Sequence, residues 1–471
     1  MSRVSESEPA RFIQDEEIAA ALDYGREAAK DRGAVEAILE KAMDCKGLTA
    51  LEAAVLLYVD DDDILQRLFA ASRQIKERIY GNRIVLFAPL YVSDYCVNHC
   101  VYCGYKHSNT EFERHRLTME EIAREVSVLE SLGHKRLVIE AGEDSRYCDI
   151  DYILDCIHTA YATKTGNGSI RRININIAAT TEEEYRLLAG AGIGTYILFQ
   201  ETYHRPSYLH YHPRGPKRDY DWHTTAMDRA MRAGIDDVGI GVLYGLYDYH
   251  FETVAMLKHA EHLEETFGCG PHTISVPRLR AAENVHLDNY PYLVSDRDFM
   301  KVVAVLRLAV PYTGMILSTR EDPELRDEII KLGISQISAG SATGVGGYAV
   351  NKGKDDNPQF QVGDHRSPQE IIKCLCQDGY VPSYCTACYR EGRTGDRFMQ
   401  LAKSGQIHNI CQPNSLLTFQ EYLLDYADDE MRELGERTIA ENLERIPRES
   451  TRKLTMKRLE RVRNGERDLR F

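Results

Sequence analysis

The chain has 471 residues, 43% of them hydrophobic and 28% charged, a composition that supports one large core with smaller additions and excludes long disordered tracts. A formal net charge of −15 offers no basic field to a phosphate backbone, so nucleic acid is excluded as a partner and a small-molecule substrate is expected. No apolar run nears the roughly 20 residues that span a bilayer. The opening MSRVSESEPARFIQDEE is acidic where a presequence is basic, so no membrane association and a cytoplasmic location are expected.

Residues 1–80 carry apolar positions at three-to-four spacing, as in EEIAAALDYGREAA and TALEAAVLLYV, which predicts an N-terminal helical extension. The acidic run Asp60 to Asp63 reads as a solvated turn or helix start. From Arg83 onward, β-rich runs alternate with amphipathic stretches. Eight strands are predicted, over 83–92, 136–142, 172–178, 194–200, 237–243, 272–277, 313–319 and 334–340. The fold class is therefore α/β, and eight units over about 260 residues predict a complete (β/α)8 TIM barrel over 81–350, an open six-unit sheet being the alternative. Chemistry is then expected at the C-terminal mouth, where strands end. The polar, Gly- and Pro-containing stretch 351–368 reads as a linker or boundary, and 351–471 as a small, mainly helical C-terminal domain.

Twelve cysteines in a reducing compartment point to metal ligation before disulfides. Six are grouped: Cys96, Cys100 and Cys103, just after the first strand, and Cys385, Cys388 and Cys411, beyond the barrel. Three thiolates in CxxxCxxC spacing suit three corners of a [4Fe–4S] cube and leave one iron open. Zinc, the alternative, prefers four ligands in paired CxxC units, and no fourth lies nearby. The second group, CxxCx22C, again supplies three thiolates and implies a second such cluster. The other six cysteines read as small buried hydrophobes.

These features resemble the radical S-adenosylmethionine (SAM) superfamily: Cys96-Val-Asn-His-Cys100-Val-Tyr-Cys103 is similar to its cluster motif, and Glu140-Ala-Gly-Glu-Asp-Ser145 to its SAM-amino-group motif. With the second cysteine group, and with GPHTISVPR, ILSTRED and ISAGSATGVGGY at strand ends, nearly the whole chain resembles the tyrosine lyases that mature [FeFe]-hydrogenase. The resemblance implies cleavage of L-tyrosine between Cα and Cβ to p-cresol and dehydroglycine. It then implies formation of carbon monoxide and cyanide at the C-terminal cluster, on an additional labile iron. The implied partners are SAM, tyrosine, a reductant such as ferredoxin or flavodoxin, and other hydrogenase maturation proteins. SAM is assigned to Tyr102, Ala141, Gly142, Glu143 and Asp144, with Gln200, Glu201 and Tyr203 facing its ribose. The tyrosine carboxylate needs an arginine, and Arg320 with Ser318 beside it fits best, Arg278 being second. His272 and His262 are the candidate ligands of the labile iron. The rival readings are a 2-iminoacetate synthase of thiamine synthesis, whose family lacks the second cysteine group, and a noncatalytic iron–sulfur scaffold.

Overall fold

The computed structural model describes residues 8–110, 113–282, 285–349 and 358–471. In the N-terminal layer the helices Arg32–Ala42, Ala50–Leu57 and Asp62–Tyr80 start at side-chain caps, whereas Asp15–Ala28 has none. Asp31 accepts the Gly33 and Ala34 N–H groups, and Thr49 forms a reciprocal capping box with Glu52. Asp61, inside the expected acidic turn, accepts the Ile64 N–H and opens the helix Asp62–Tyr80. That helix packs on the barrel helix Asp296–Ala309 and ends at Gly81, whose φ of 66° favours glycine.

The barrel strands are β1 (Arg83–Ser93), β2 (Arg136–Ala141), β3 (Arg172–Asn176), β4 (Tyr196–Ile197), β5 (Val238–Gly241), β6 (Thr273–Ser275), β7 (Gly314–Leu317) and β8 (Gln336–Ser338). All pair in parallel with their neighbours, and β1 joins both β8 and β2, which closes the eight-stranded barrel expected from the sequence. Alternation along β1 sorts its side chains. Ile84, Leu86, Ala88, Leu90 and Val92 are fully buried under the helices, and Val85, Phe87, Pro89 and Tyr91 line the bore.

Two departures from the predicted strands have physical causes. The run 194–200 yields only a two-residue β4. Beyond it Leu198 and Gln200 still donate to Gly239 and Gly241, so pairing continues on one side alone. A ninth strand, β9 (Val381–Ser383), was not predicted. It carries Pro382, which lacks an N–H and is tolerated at a sheet edge. It pairs in parallel with Arg83, Ile84 and Val85, below the point where β2 begins, and so ties the C-terminal segment to the foot of the barrel. The described part of the polar stretch crosses the mouth, with Gln359 donating to Thr343 and Gly363 to Thr319. Its residues 351–357 lie outside the described residues. No helix among the described residues is long and apolar enough to cross a membrane.

Candidate active site

The loop after β1 carries the first cysteine group. It holds its shape through Arg114, whose guanidinium donates to the carbonyls of Asp94, Tyr105, Lys106 and Asn109. Asn98 clasps two other elements: its Nδ2 donates to Glu143 at 2.6 Å and its Oδ1 accepts the Lys217 N–H at 2.9 Å. Cys96, Cys100 and Cys103 all line one cavity at the mouth, with an empty volume of about 1510 Å³ including its open end. Burial pushes all three thiols up, Cys103 to about 11. Backbone N–H groups aimed at sulfur oppose that shift at Cys96 and Cys103.

The next strand brings the acidic motif to the same place. Gly142 donates to the Ser93 carbonyl, and a Cβ there would lie 2.3 Å from the Tyr95 carbonyl oxygen, so only glycine lets the motif pass this close to the cysteine loop. Ala141, Gly142 and Glu143 line the cavity; Asp144 does not, its carboxylate instead accepting the Arg146 and Tyr147 N–H groups. Glu140 lines it too, between Tyr91 and Asn176 on neighbouring strands. Burial raises its carboxyl to about 7, against the opposing pull of Tyr91, Arg320 and Asn176.

Across the cavity stand Ser318 and Arg320, after β7. The Ser318 hydroxyl is buried without a hydrogen-bond partner, and the Arg320 guanidinium stacks 3.3 Å from the Phe360 ring centre. Burial pulls the Arg320 pKa down, with Tyr91, Glu201 and Glu140 countering. Glu201 adopts a φ of 68°, an uncommon value for a side chain, and binds Lys217 at 2.7 Å. Burial pulls the Lys217 ammonium down, but Glu201 and the Cys100 thiol outweigh it and the net shift is up.

Four other expected site residues sit behind this wall. Tyr102 borders the cavity but gives its hydroxyl to His212 at 2.8 Å, and Gln200 is turned away to Thr224. Tyr203 is fully buried against His259. Arg278 is claimed by Glu321 and by Asp296, so its guanidinium is already paired. Sequence reasoning missed Glu140 as a cavity residue, together with Asn98, Arg114, Asn176 and Lys217. Glu140 and Asn98 lay within motifs; the rest meet at the mouth through long-range contacts.

A second chamber lies at the opposite end of the bore. It is lined by Arg83, Arg136, His272 and Gln336, each at or just before a strand start, and by Cys385, Cys388 and Cys411. Arg136 donates to the Cys385 carbonyl. Cys388 is pushed down to about 6 by a hydrogen bond from Cys411 and by Arg393, whereas burial raises Cys385 to about 11. His272 is 8% exposed, and burial lowers it to about 4, which leaves a neutral imidazole. His262 is separated from this chamber. It lies on the helix Tyr249–Phe267, bound to Asp228 at 2.7 Å and stacked on Phe12, which corrects the expectation that it faces the iron.

The sequence profile of the radical SAM superfamily matches residues 90–260, and that of the Biotin and Thiamin Synthesis associated domain matches 275–381. The 2-iminoacetate synthase of Salmonella typhimurium (strain LT2) is 31% identical over 359 residues, which cover 74% of this chain and 90% of that protein. A crystal structure of HydG, a maturase of the [FeFe]-hydrogenase, superposes with a TM-score of 0.95 at 64% identity, over 98% of this chain and all of that one. The HydG of Carboxydothermus hydrogenoformans gives a TM-score of 0.81 at 39% identity, over 95% of this chain and 99% of that one. With the cysteine loop, the glycine-dependent acidic motif and the closed barrel in place, the chain belongs to the HydG family of radical SAM enzymes.

Proposed function

We propose that the chain cleaves L-tyrosine between Cα and Cβ at the barrel mouth, giving p-cresol and dehydroglycine. In the lower chamber dehydroglycine then yields carbon monoxide and cyanide, which leave on iron for [FeFe]-hydrogenase assembly. The observation that carries this reading is the presence of two sets of three buried or half-buried cysteines, one at each end of a single barrel bore.

The residues present fit the groups such chemistry needs. Cys96, Cys100 and Cys103 are buried thiols that become thiolates only beside a strong cation, and N–H groups already point at Cys96 and Cys103, a feature that tunes iron–sulfur clusters. Three thiols in CxxxCxxC spacing suit three corners of a multi-iron cluster, whereas zinc prefers four ligands in paired CxxC units. A [4Fe–4S] cluster with SAM supplies, when bound, a carbon-centred radical that removes a hydrogen atom. Ala141, Gly142 and Glu143 would receive SAM beside it, with Asn98 fixing the Glu143 carboxylate. Arg320 and Ser318 would bind the tyrosine carboxylate, since both line the cavity and the Ser318 hydroxyl has no hydrogen-bond partner. Below, Cys385, Cys388 and Cys411 would hold a second cluster, and the neutral His272 would serve a labile iron. A low-potential donor such as ferredoxin or flavodoxin would reduce the protein, and other maturation proteins would take the iron-bound product. An iminoacetate synthase would have no use for the lower cysteines.

The test is anaerobic reconstitution with iron, sulfide, SAM, tyrosine and dithionite. p-Cresol, carbon monoxide and cyanide are expected, and a failure to form p-cresol from tyrosine overturns the reading.

A further inference from the structure

We infer that Glu140 recognises the α-ammonium group of the amino-acid substrate and accepts one of its protons, working across the cavity from Arg320. The inference deepens the proposed function and rests on its reading of the mouth as an amino-acid site.

It starts from which charges near the mouth already have partners. Glu143 holds Asn98, Glu201 holds Lys217, and Glu321 holds Arg278 and Arg280. Glu140 forms no ion pair with any described residue. Its hydrogen-bonding neighbours are neutral: the Tyr91 phenol, and the Asn176 amide at a long 3.4 Å. Strand alternation sends Val138 and Glu140 into the bore, while Leu137 and Ile139 face the helices. Registry sets Tyr91, Glu140 and Asn176 at one level on β1, β2 and β3. The charged groups that face Glu140 are therefore Arg320 from beyond β7 and Glu201 from beyond β4, with the Tyr91 phenol beside it.

A buried carboxylate without a cation is costly, and so is a buried guanidinium without an anion. Here both open onto one cavity and neither is bonded to the other. Such an arrangement complements a zwitterion: the substrate carboxylate meets Arg320 and its ammonium meets Glu140. The resting Glu140 pKa of about 7 places proton uptake within reach at neutral pH. In the step itself one N–H bond of the ammonium breaks heterolytically, the electron pair stays on nitrogen, and the proton moves to Glu140 as a carboxylic acid. No electrons are exchanged, and the nitrogen is left as a neutral amine, ready for hydrogen-atom removal. Glu140 and Glu143 thus divide one short motif, the first serving substrate and the second SAM.

The experiment compares tyrosine with 3-(4-hydroxyphenyl)propanoate, which lacks the amino group, binding to reconstituted holoenzyme with SAM. Glu140→Gln should weaken tyrosine by about 10- to 100-fold and the analogue by less than about 2-fold, with iron content and the SAM-perturbed paramagnetic signal unchanged. Glu140→Asp should recover part of the loss. Equal weakening of both ligands, or of neither, overturns the inference. Should Glu140→Gln fail to fold, Asn176→Ala is read by the same comparison, with a smaller selective loss for tyrosine expected and a non-selective one overturning. A wild-type enzyme that binds tyrosine amino-selectively yet forms no p-cresol would sink the lyase reading and leave the ammonium contact standing.

Discussion

The His272 imidazole, at the foot of the barrel, meets the hydroxyl of Tyr389, the residue after Cys388, at 2.5 Å. A barrel side chain and the second cysteine loop are thereby joined across the interface that β9 creates. Replacing His272 by alanine should leave p-cresol formation within about twofold of wild type and cut carbon monoxide release at least about tenfold, because second-sphere and ligand losses at metal sites run to 10–100-fold. Parallel assay of both products checks this.

The two cysteine groups should separate cleanly by mutation. Cys96→Ala should abolish 5′-deoxyadenosine and p-cresol together. Cys388→Ala should retain p-cresol and lose carbon monoxide and roughly half the iron, in proportion to one of two clusters. Chromatography of the organic products with an iron assay reads the split, and carbon monoxide persisting in Cys388→Ala would refute it.

Gly142→Ala should be more damaging than its size suggests. Its new methyl would sit 2.3 Å from the Tyr95 carbonyl oxygen and 3.1 Å from the Cys96 Cβ, both backbone-anchored neighbours. A displaced loop costs about 1–3 kcal/mol of stability, and SAM affinity should fall with it. Thermal unfolding and SAM titration of the reconstituted variant measure both.

Stability should depend on pH through Glu252. Fully buried, and accepting the Thr202 hydroxyl and the Tyr203 N–H, it is raised from an ordinary value near 4.5 to about 8, chiefly by burial. The folded state holds this proton more tightly than the unfolded chain does. The stability that protonation contributes is complete below about pH 4.5 and is lost as pH rises toward 8. Glu252→Gln should flatten the unfolding-temperature profile between those limits, and an unchanged slope would refute the assignment.

Much of this architecture was legible because it rests on short-range pattern. The cysteine spacings are local, as is the alternation that places Val85, Phe87, Pro89 and Tyr91 on one face. Lys217 was not legible: it lies in the single 3-10 turn Pro216–Arg218, too short for periodicity, and is held at the mouth by Asn98 at its backbone and Glu201 at its ammonium. β9 was hidden by its brevity and its proline, and its identity as a strand depends entirely on the exposed edge of β1. Gln200, Tyr203 and Arg278 show the converse error. Each stands at a strand end, where the barrel rule expects chemistry, yet Thr224, His259 and Glu321 have taken up their polar atoms. Strand ends mark where function can be, and unspent hydrogen bonds mark where it is.

The long first strand has a consequence for how such an enzyme can change. One strand, Arg83–Ser93, in regular register up to Tyr91, touches the C-terminal segment at its lower end and delivers the cysteine loop at its upper end. The spacing of the two chambers is therefore counted in peptide units, and parity matters. Loss of a single unit would turn every lumen side chain above the break toward the helices. Any lineage that lengthens or shortens the passage between its two workshops must do so in pairs.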